Sequence, residues 1–160
     1  MEKYLRIDMH VHTSGVSICA KQTVEETIER KMKQGYDGMV LTNHCQPWYY
    51  APKPAEQEKY THSVLEEYAR AVEYGKDKNF RVYLGLEVTL LNTFYSDWLL
   101  YGVTEKFLKN APPLYMLSHK EKFALCESYG ILLVQAHPFR PIPYVGTVYG
   151  VADKAYLHGI

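Results

Sequence analysis

Two histidines one residue apart, His10 and His12, end the short segment Arg6–Thr13, which has the character of a β-strand. Side chains on a strand alternate between its two faces, so residues i and i+2 point the same way. Two imidazoles would therefore leave one side of one strand, close together. Imidazole nitrogen is a common ligand of zinc, iron and other transition metals. The pair alone is equally compatible with histidines that bond to the backbone or to water.

Three more residues of metal-ligand type follow the same pattern. His44 and His137 each end an apolar run with strand character, and Glu87 lies inside a third run. A carboxylate buried among apolar residues is costly unless it is paired, and bridging two cations would satisfy it. Each residue also has an ordinary interpretation as a bonded core residue. Their repeated occurrence at strand ends favours a metal site over that interpretation.

The elements that must position these residues alternate along the chain. Apolar strands are separated by amphipathic helices, which implies a parallel sheet covered by helices whose strand C-termini build the site. Capping-box patterns predict three helix starts, and a glycine follows each predicted helix; the starts are Thr23–Glu26, Ser63–Glu66 and Ser118–Glu121, and the glycines are Gly35, Gly75 and Gly130. The proline-rich segment Cys45–Tyr60, with aromatic residues at 48–50, is predicted to be a long loop above the strand ends.

Length and composition limit the class of protein. A chain of 160 residues fits a single domain covering residues 1–160. The 18 Lys and Arg balance the 18 Asp and Glu with no basic run, so nucleic-acid capture is not indicated. No signal-peptide or membrane-spanning pattern is present, and three cysteines without a Cys-x-x-Cys pair do not suggest a disulfide framework. The expectation is a soluble cytoplasmic protein without a membrane partner.

Four motifs, in order, resemble those of the PHP (polymerase and histidinol phosphatase) family: Asp8–Thr13, Leu41–His44, Gly85–Glu87 and Ala136–Arg140. The resemblance covers nearly the whole chain. It implies an α/β fold, a distorted (β/α)7 TIM-like barrel, with two or three divalent metal ions at the strand C-termini. Members of the family include histidinol phosphatases, nucleotide and oligonucleotide phosphoesterases, and domains of bacterial replicative polymerases.

The resemblance also implies a role for each matching residue. His10 and His12 would hold a first metal, Glu87 would bridge to a second that His137 completes, and His44 would serve a third. Asp8 would be a carboxylate that supports these ligands from behind. Arg140 would be the catalytic arginine that contacts substrate phosphate, a task suited to a bidentate guanidinium.

The sequence departs from the family pattern at several positions. Asn43 stands where the family often has an aspartate, and Asp97 occupies the place of a family histidine and is a candidate metal ligand in its stead. The loop after the first motif lacks the family's acid or histidine. Cys19 lies there as a further candidate, although an inert small residue is the favoured interpretation. His119 is assigned a solvated role, and His62 an ordinary place on the surface.

The chain also stops where the family continues with further strands and a final Asp-x-His. The barrel is therefore expected to be incomplete at the C-terminus, with an open edge that favours association as a symmetric homodimer. Fewer metals than three, and low activity, would follow.

The function predicted from these residues is that of a metal-dependent phosphoesterase acting on a small phosphorylated substrate. Zinc, manganese or iron would activate a water molecule for attack on phosphorus. The alternative from another class is a degenerate, non-catalytic PHP module with a structural or partner-binding role, which Asn43 and the missing ligands favour. Amidohydrolase-like cleavage of a C–N bond is a weaker option.

Overall fold

The computed structural model describes residues 4–45, 54–90, 96–140 and 150–160. Within these ranges, six strands form one sheet: β1 (Ile7–Val11), β2 (Gly38–Leu41), β3 (His44–Cys45), β4 (Arg81–Leu90), β5 (Ser96–Tyr101) and β6 (Leu132–Ala136). Their order is β1-β2-β4-β5-β6, with β3 also beside β4. The sheet is curled into a half-barrel, so the fold is mixed α/β and consistent with part of a TIM-like barrel.

Strand direction separates the two sides of this sheet. β1, β2, β3 and β4 are mutually parallel where they pair, as predicted, but β5 is antiparallel to both β4 and β6. The prediction of an all-parallel sheet is therefore wrong for β5. Leu90 at the end of β4 pairs with Ser96 at the start of β5, and only residues 91–95 separate them. A parallel crossover needs a dozen residues or more, so this link permits only an antiparallel pair.

In the described part of the chain, four α-helices cover the sheet: α1 (Val24–Lys33), α2 (Pro54–Lys76), α3 (Glu105–Asn110) and α4 (His119–Tyr129). The predicted capping boxes at Thr23 and Ser118 are confirmed, each with its hydroxyl and its glutamate bonded reciprocally. Gly130 ends α4 in the left-handed conformation. None of the helices within the described ranges is both long and apolar enough to cross a membrane.

Helix α2 corrects three predictions. The structure places residues from Pro54 onward in a helix and not in a loop, because proline is well tolerated in the first helical turn. Ser63 therefore lies inside the helix, where its hydroxyl donates to the Lys59 carbonyl at 3.1 Å and does not start a new helix. The helix also continues past Gly75, where a Cβ would meet the Phe80 carbonyl oxygen at 2.6 Å. The aromatic residues 48–50 lie outside the described ranges.

Two apolar clusters hold the helices on the sheet. The first joins β1 and β2 to α1 and α2 through residues such as Val11, Ile28 and Met39. The second surrounds β4, β5 and β6 and includes Trp98 and Phe107, both almost fully buried. Burial of this kind fixes the strands relative to one another, and therefore fixes the residues at the strand ends.

The outer edge of β6 is partly paired. The Gln135 amide donates to the Gly159 carbonyl at 3.0 Å, and the His158 amide donates to the Leu133 carbonyl at 2.8 Å. A parallel bridge joins Val134 and Gly159. The expected open edge is thus covered along this stretch by residues 158–159, which lie where a next strand would run.

Candidate metal site

The four histidines and the glutamate predicted as ligands lie at one edge of the sheet. His10 lies in β1, His12 just after it, His44 in β3, Glu87 in β4, and His137 directly after β6. The Glu87 side chain is only 1% exposed. The structure therefore brings together residues from four strands around one buried carboxylate.

Both oxygens of Glu87 face imidazole nitrogens. Oε1 lies 3.2 Å from His10 Nε2 and 3.1 Å from His137 Nε2. Oε2 lies 3.3 Å from His12 Nε2 and 2.8 Å from His44 Nδ1, but it has no hydrogen bond of suitable geometry. A carboxylate enclosed by four nitrogens of this kind has the donor set of a metal site.

The donors fall into two groups. In each group the ligand atoms all lie within 4.8 Å of one another; one group is His10, Glu87 and His137, and the other is His12, Cys19 and His44. The resemblance assigns His10 and His12 to one ion; they fall in different groups, but their Nε2 atoms are 3.0 Å apart, close enough to share an ion. That these residues are metal ligands stays a prediction.

Charge in the site is uneven. Burial alone would raise the pKa of Glu87, but contacts with His10, His137 and His44 outweigh it and hold that pKa below its usual range. Burial, followed by the neighbouring His44, lowers the pKa of His12 to about 4. At neutral pH Glu87 is thus a carboxylate and His12 a neutral imidazole with a free lone pair. Both are the forms that bind cations, so the residues fit divalent metal ions.

Asp97 reaches the same edge from the opposite direction. It lies near the start of β5, and because β5 is antiparallel, that start is adjacent to the end of β6, where Asp97 pairs with Ala136. Its Oδ2 is 3.9 Å from His137 Nε2, and its Oδ1 accepts a hydrogen bond from the Thr89 hydroxyl at 2.6 Å. Burial raises the pKa of Asp97. It lies beside the donor groups without belonging to either.

Asp8 contacts the backbone of His10 and a lysine of α1. The pairing of β1 with β2 is irregular between Asp8 and Val11. The Asp8 carboxylate pairs with Lys31 of α1 and accepts a hydrogen bond from the His10 amide at 3.2 Å. It supports the backbone of His10 and not the imidazole ring.

Asn43 joins two segments of the site, a role that the sequence did not reveal. Its side-chain oxygen accepts hydrogen bonds from the Thr13 amide and the Ser17 hydroxyl, both at 2.8 Å. Its Nδ2 donates to Thr13 Oγ1 at 3.1 Å, and Ser17 Oγ accepts from the His44 amide at 3.0 Å. An aspartate could not make the Nδ2 bond. The amide where the family often has an acid therefore anchors the loop after β1 to the strand of His44.

His137 and Arg140 form a tight turn after β6. His137 has a φ of 31°, a left-handed value that is uncommon for residues other than glycine and is often found at functional sites. The Arg140 amide donates to the His137 carbonyl at 2.9 Å, and the Arg140 side chain is exposed. The turn therefore presents a guanidinium next to the donor groups.

Two other histidines lie away from the site. His62 is on the surface and pairs with Glu66 at 3.1 Å, as predicted. The solvated role assigned to His119 is wrong, because its ring packs against Trp98 with centroids 4.2 Å apart. Helix α4 packs against β6, the strand that pairs with β5, so even a residue at its start is drawn onto the core.

An open cavity of about 560 Å³ lies beside the donors. Donor residues His10, His12 and Cys19 line it, together with three basic residues of the loop and of α1: Lys21, Arg30 and Lys31. Positive side chains beside a cluster of metal-ligand type suit an anionic ligand. A larger cavity of about 1060 Å³ is lined mainly by apolar residues and by none of the donors.

Comparison with known proteins gives similarity of structure alone. No protein-family model and no curated protein matches the sequence. A two-domain protein from Bacteroides vulgatus, containing a predicted PHP-like metal-dependent phosphoesterase, is similar with a TM-score of 0.56 at 18% identity, covering 84% of this chain and 35% of that one. A candidate metal-dependent phosphoesterase from Bifidobacterium adolescentis has a TM-score of 0.53 at 14% identity, covering 88% of this chain and 70% of the other.

A third structure is more distant. An amidohydrolase from Chromobacterium violaceum, solved with bound sulfate and no metal, has a TM-score of 0.43 at 20% identity, too low a score to indicate a shared fold. The chain covers 30% of its length, with 69% of this chain aligned. The chain thus spans about a third of the length of two of these three proteins.

Proposed function

Starting from a fold of the PHP type, we propose that this chain is a metal-dependent hydrolase, and specifically a phosphoesterase. Two observations support the proposal. Glu87 is buried among four imidazole nitrogens, and a cavity with basic residues opens beside them. The burial of Glu87 among the imidazoles supports a bound metal ion, and the basic cavity favours a phosphate ester over a neutral substrate.

The burial of the Glu87 carboxylate is the main support for a bound metal ion. A carboxylate that is 1% exposed needs positive partners, yet His12, with its pKa lowered to about 4, does not supply a charge at neutral pH. Its Nδ1 also has no hydrogen-bond partner within the described ranges. The imidazole nitrogens of four histidines surround this carboxylate, which is an arrangement that a divalent cation satisfies. His10, His137 and His44 complete the proposed donor set.

The chemistry divides between the ions and the chain. When bound, divalent ions lower the pKa of a water ligand and polarise phosphoryl oxygens. Glu87 holds the donors in position, because its strand β4 is paired with β2 and β3 on one side and with β5 on the other. Arg140, exposed on the turn after His137, binds the non-bridging oxygens of the phosphate and stabilises their charge in the transition state. Lys21 at the cavity rim attracts the anion.

The wider assignment follows the same proposal. The half-barrel would be part of a (β/α)7 barrel, and the ions would be zinc, manganese or iron. The substrate would be a small phosphorylated molecule in the cytoplasm, and the chain would form a homo-oligomer through the open side of the half-barrel.

Metal content and hydrolysis test the proposal together. The full chain, its His137→Ala variant and a His62→Ala control are purified, dialysed and measured by plasma mass spectrometry. Turnover of bis-p-nitrophenyl phosphate is then followed with added manganese or zinc. We expect the wild type and His62→Ala to retain metal and hydrolyse the ester, and His137→Ala to lose both in large part.

Two results would contradict the proposal. A wild-type chain that retains no ion under any loading condition would overturn the metal site. Full retention without hydrolysis of phosphomonoesters or phosphodiesters would overturn the phosphoesterase and leave the non-catalytic module in its place.

A further inference from the structure

Cys19 lies in the second donor group, with His12 and His44. Its sulfur and one nitrogen from each imidazole are all within 4.8 Å of one another. Cys19 is exposed, whereas the other two cysteines, Cys45 and Cys126, are buried in the apolar cluster around β4, β5 and β6. Of the three thiols, it is the one placed to reach an ion.

The loop that carries Cys19 is fixed by hydrogen bonds. The Ala20 amide donates to the Ser17 carbonyl at 3.0 Å, and the Ser14 amide donates to the Gln22 carbonyl at 2.9 Å. Ser17 is in turn bonded to Asn43 and to the His44 amide. The sulfur is therefore held near the two imidazoles by the same contacts that position His44.

A second, independent observation points to a ligand at this place. Glu87 is 1% exposed, and its Oε2 lies between His12 Nε2 and His44 Nδ1 without a hydrogen bond of suitable geometry. A buried oxygen aimed at the two imidazoles of the Cys19 group requires a positive partner there. A cation held by one sulfur and two nitrogens would supply it.

We propose that Cys19 is a metal ligand, and that its group selects a thiophilic ion such as zinc over manganese. The inference rests on the proposed metal site and makes that site chemically asymmetric. Thiolate is a soft ligand that favours zinc, whereas the His10, Glu87 and His137 group offers only nitrogen and oxygen and suits harder ions equally well. Cys19 thus replaces the acid or histidine expected in this loop, and changes the preferred metal.

Cobalt spectroscopy tests this directly, because thiolate ligation of Co²⁺ gives a near-ultraviolet charge-transfer band that nitrogen and oxygen ligands do not. The chelator-treated full chain, Cys19→Ser and the control Cys126→Ala are titrated anaerobically with cobalt, with folding checked by circular dichroism. We expect the band in the wild type and in Cys126→Ala. Cys19→Ser should lack the band while it keeps the visible bands of cobalt bound to the other donors.

Competition between zinc and manganese supplies a second measurement. The preference of the wild type for zinc should fall by about tenfold or more in Cys19→Ser, a size typical of changes around a metal site. Cobalt bound by the wild type without the charge-transfer band would overturn the role of Cys19 alone. No cobalt bound by any form would overturn the metal site itself, so the two failures are distinguishable.

Discussion

Two ionisable side chains are buried to the same degree in different regions of this molecule. Glu87 at the strand ends is 1% exposed, and Lys122 in α4 is 0% exposed. Glu87 has four imidazole nitrogens within 3.3 Å. The Lys122 ammonium has no hydrogen-bond partner within the described ranges, and titratable groups near it include the thiols of Cys45 and Cys126 and the His119 imidazole.

The difference shows what each region is built to do. Burial lowers the pKa of Lys122 to about 8, which means that the core around α4 disfavours its charge. The contacts around Glu87 lower its pKa in spite of burial, which means that the strand ends favour its charge. Burying a charge without partners costs stability. A negative charge that is retained among imidazole donors therefore indicates a functional role for Glu87. The buried Lys122, in contrast, lowers the stability of the fold.

The largest effect that would sharpen this comparison is expected at Lys122. Its pKa falls from 10.5 to about 8, a difference of about 2.5 units, or about 3 kcal/mol. The unfolded chain binds more protons between pH 8 and 10.5, so wild-type stability should rise with pH across that window. Lys122→Met should gain about 3 kcal/mol at pH 7 and lose that rise. Urea denaturation at pH 7 and 9.5 measures both.

A matched control for this prediction is Lys106→Met, because Lys106 is exposed on α3. Its free energy of unfolding should change by less than about 0.5 kcal/mol. If Lys122→Met is no more stable than the wild type, the ammonium has a partner in solution and the contrast with Glu87 fails.

At Glu87 the expected change is in metal affinity. Glu87→Gln keeps the size of the side chain and removes the charge, so affinity for zinc should fall by about 100-fold, equivalent to about 2.7 kcal/mol. Competition with a chelating dye gives the value. Glu66→Gln, at an exposed residue paired with His62, is the matched control and should bind as the wild type does. Equal affinities would show that the carboxylate is structural.

Asn43→Asp would place a second negative charge near Glu87 without adding donors around it. The change removes the hydrogen bond from Nδ2 to Thr13 Oγ1, and Asn43 is only 3% exposed. We expect a loss of about 1–3 kcal/mol in the free energy of unfolding. Asn79→Asp, on the surface, should be neutral. An unchanged stability would mean that solvent reaches position 43.

The smallest stability effect is expected at Arg140, whose charge is exposed. Arg140→Ala should leave metal content and melting temperature nearly unchanged, while the affinity for inorganic phosphate falls by about tenfold. Calorimetric titration of phosphate into the metal-loaded chain measures the change, with Lys106→Ala as the control. Equal phosphate affinity in Arg140→Ala would exclude its role in anion binding.

Local patterns predicted the fold where the determinant itself was local. The capping boxes at Thr23 and Ser118 need only four residues each, and both form. The same pattern at Ser63 failed because a helix that begins at Pro54 had already enclosed it. The direction of β5 could be predicted only by counting the link to β4, since apolar strands carry no mark of direction.

The candidate site also combines residues whose positions follow from local patterns with residues whose positions depend on distant contacts. His10, His12, His44 and His137 lie at or next to strand ends and Glu87 lies within β4, so their proximity followed from the sheet. The place of Cys19 depends on the loop after β1, which Ser17 and Asn43 hold through contacts distant in sequence. Such contacts leave no periodic trace, so the sequence alone could not place Cys19 beside His12 and His44.

The short link between β4 and β5 has a consequence for the order of folding. The free energy of loop closure grows with the length of chain enclosed, so β4 and β5, which are only five residues apart in sequence, pair at low entropic cost. Pairing of β2 with β4 must enclose the whole of α2. The β4–β5 pair carries Glu87 and Asp97, so the two acids of this region meet early. His10 and His137 come from near opposite ends of the chain, so we expect them to join the β4–β5 pair later in folding.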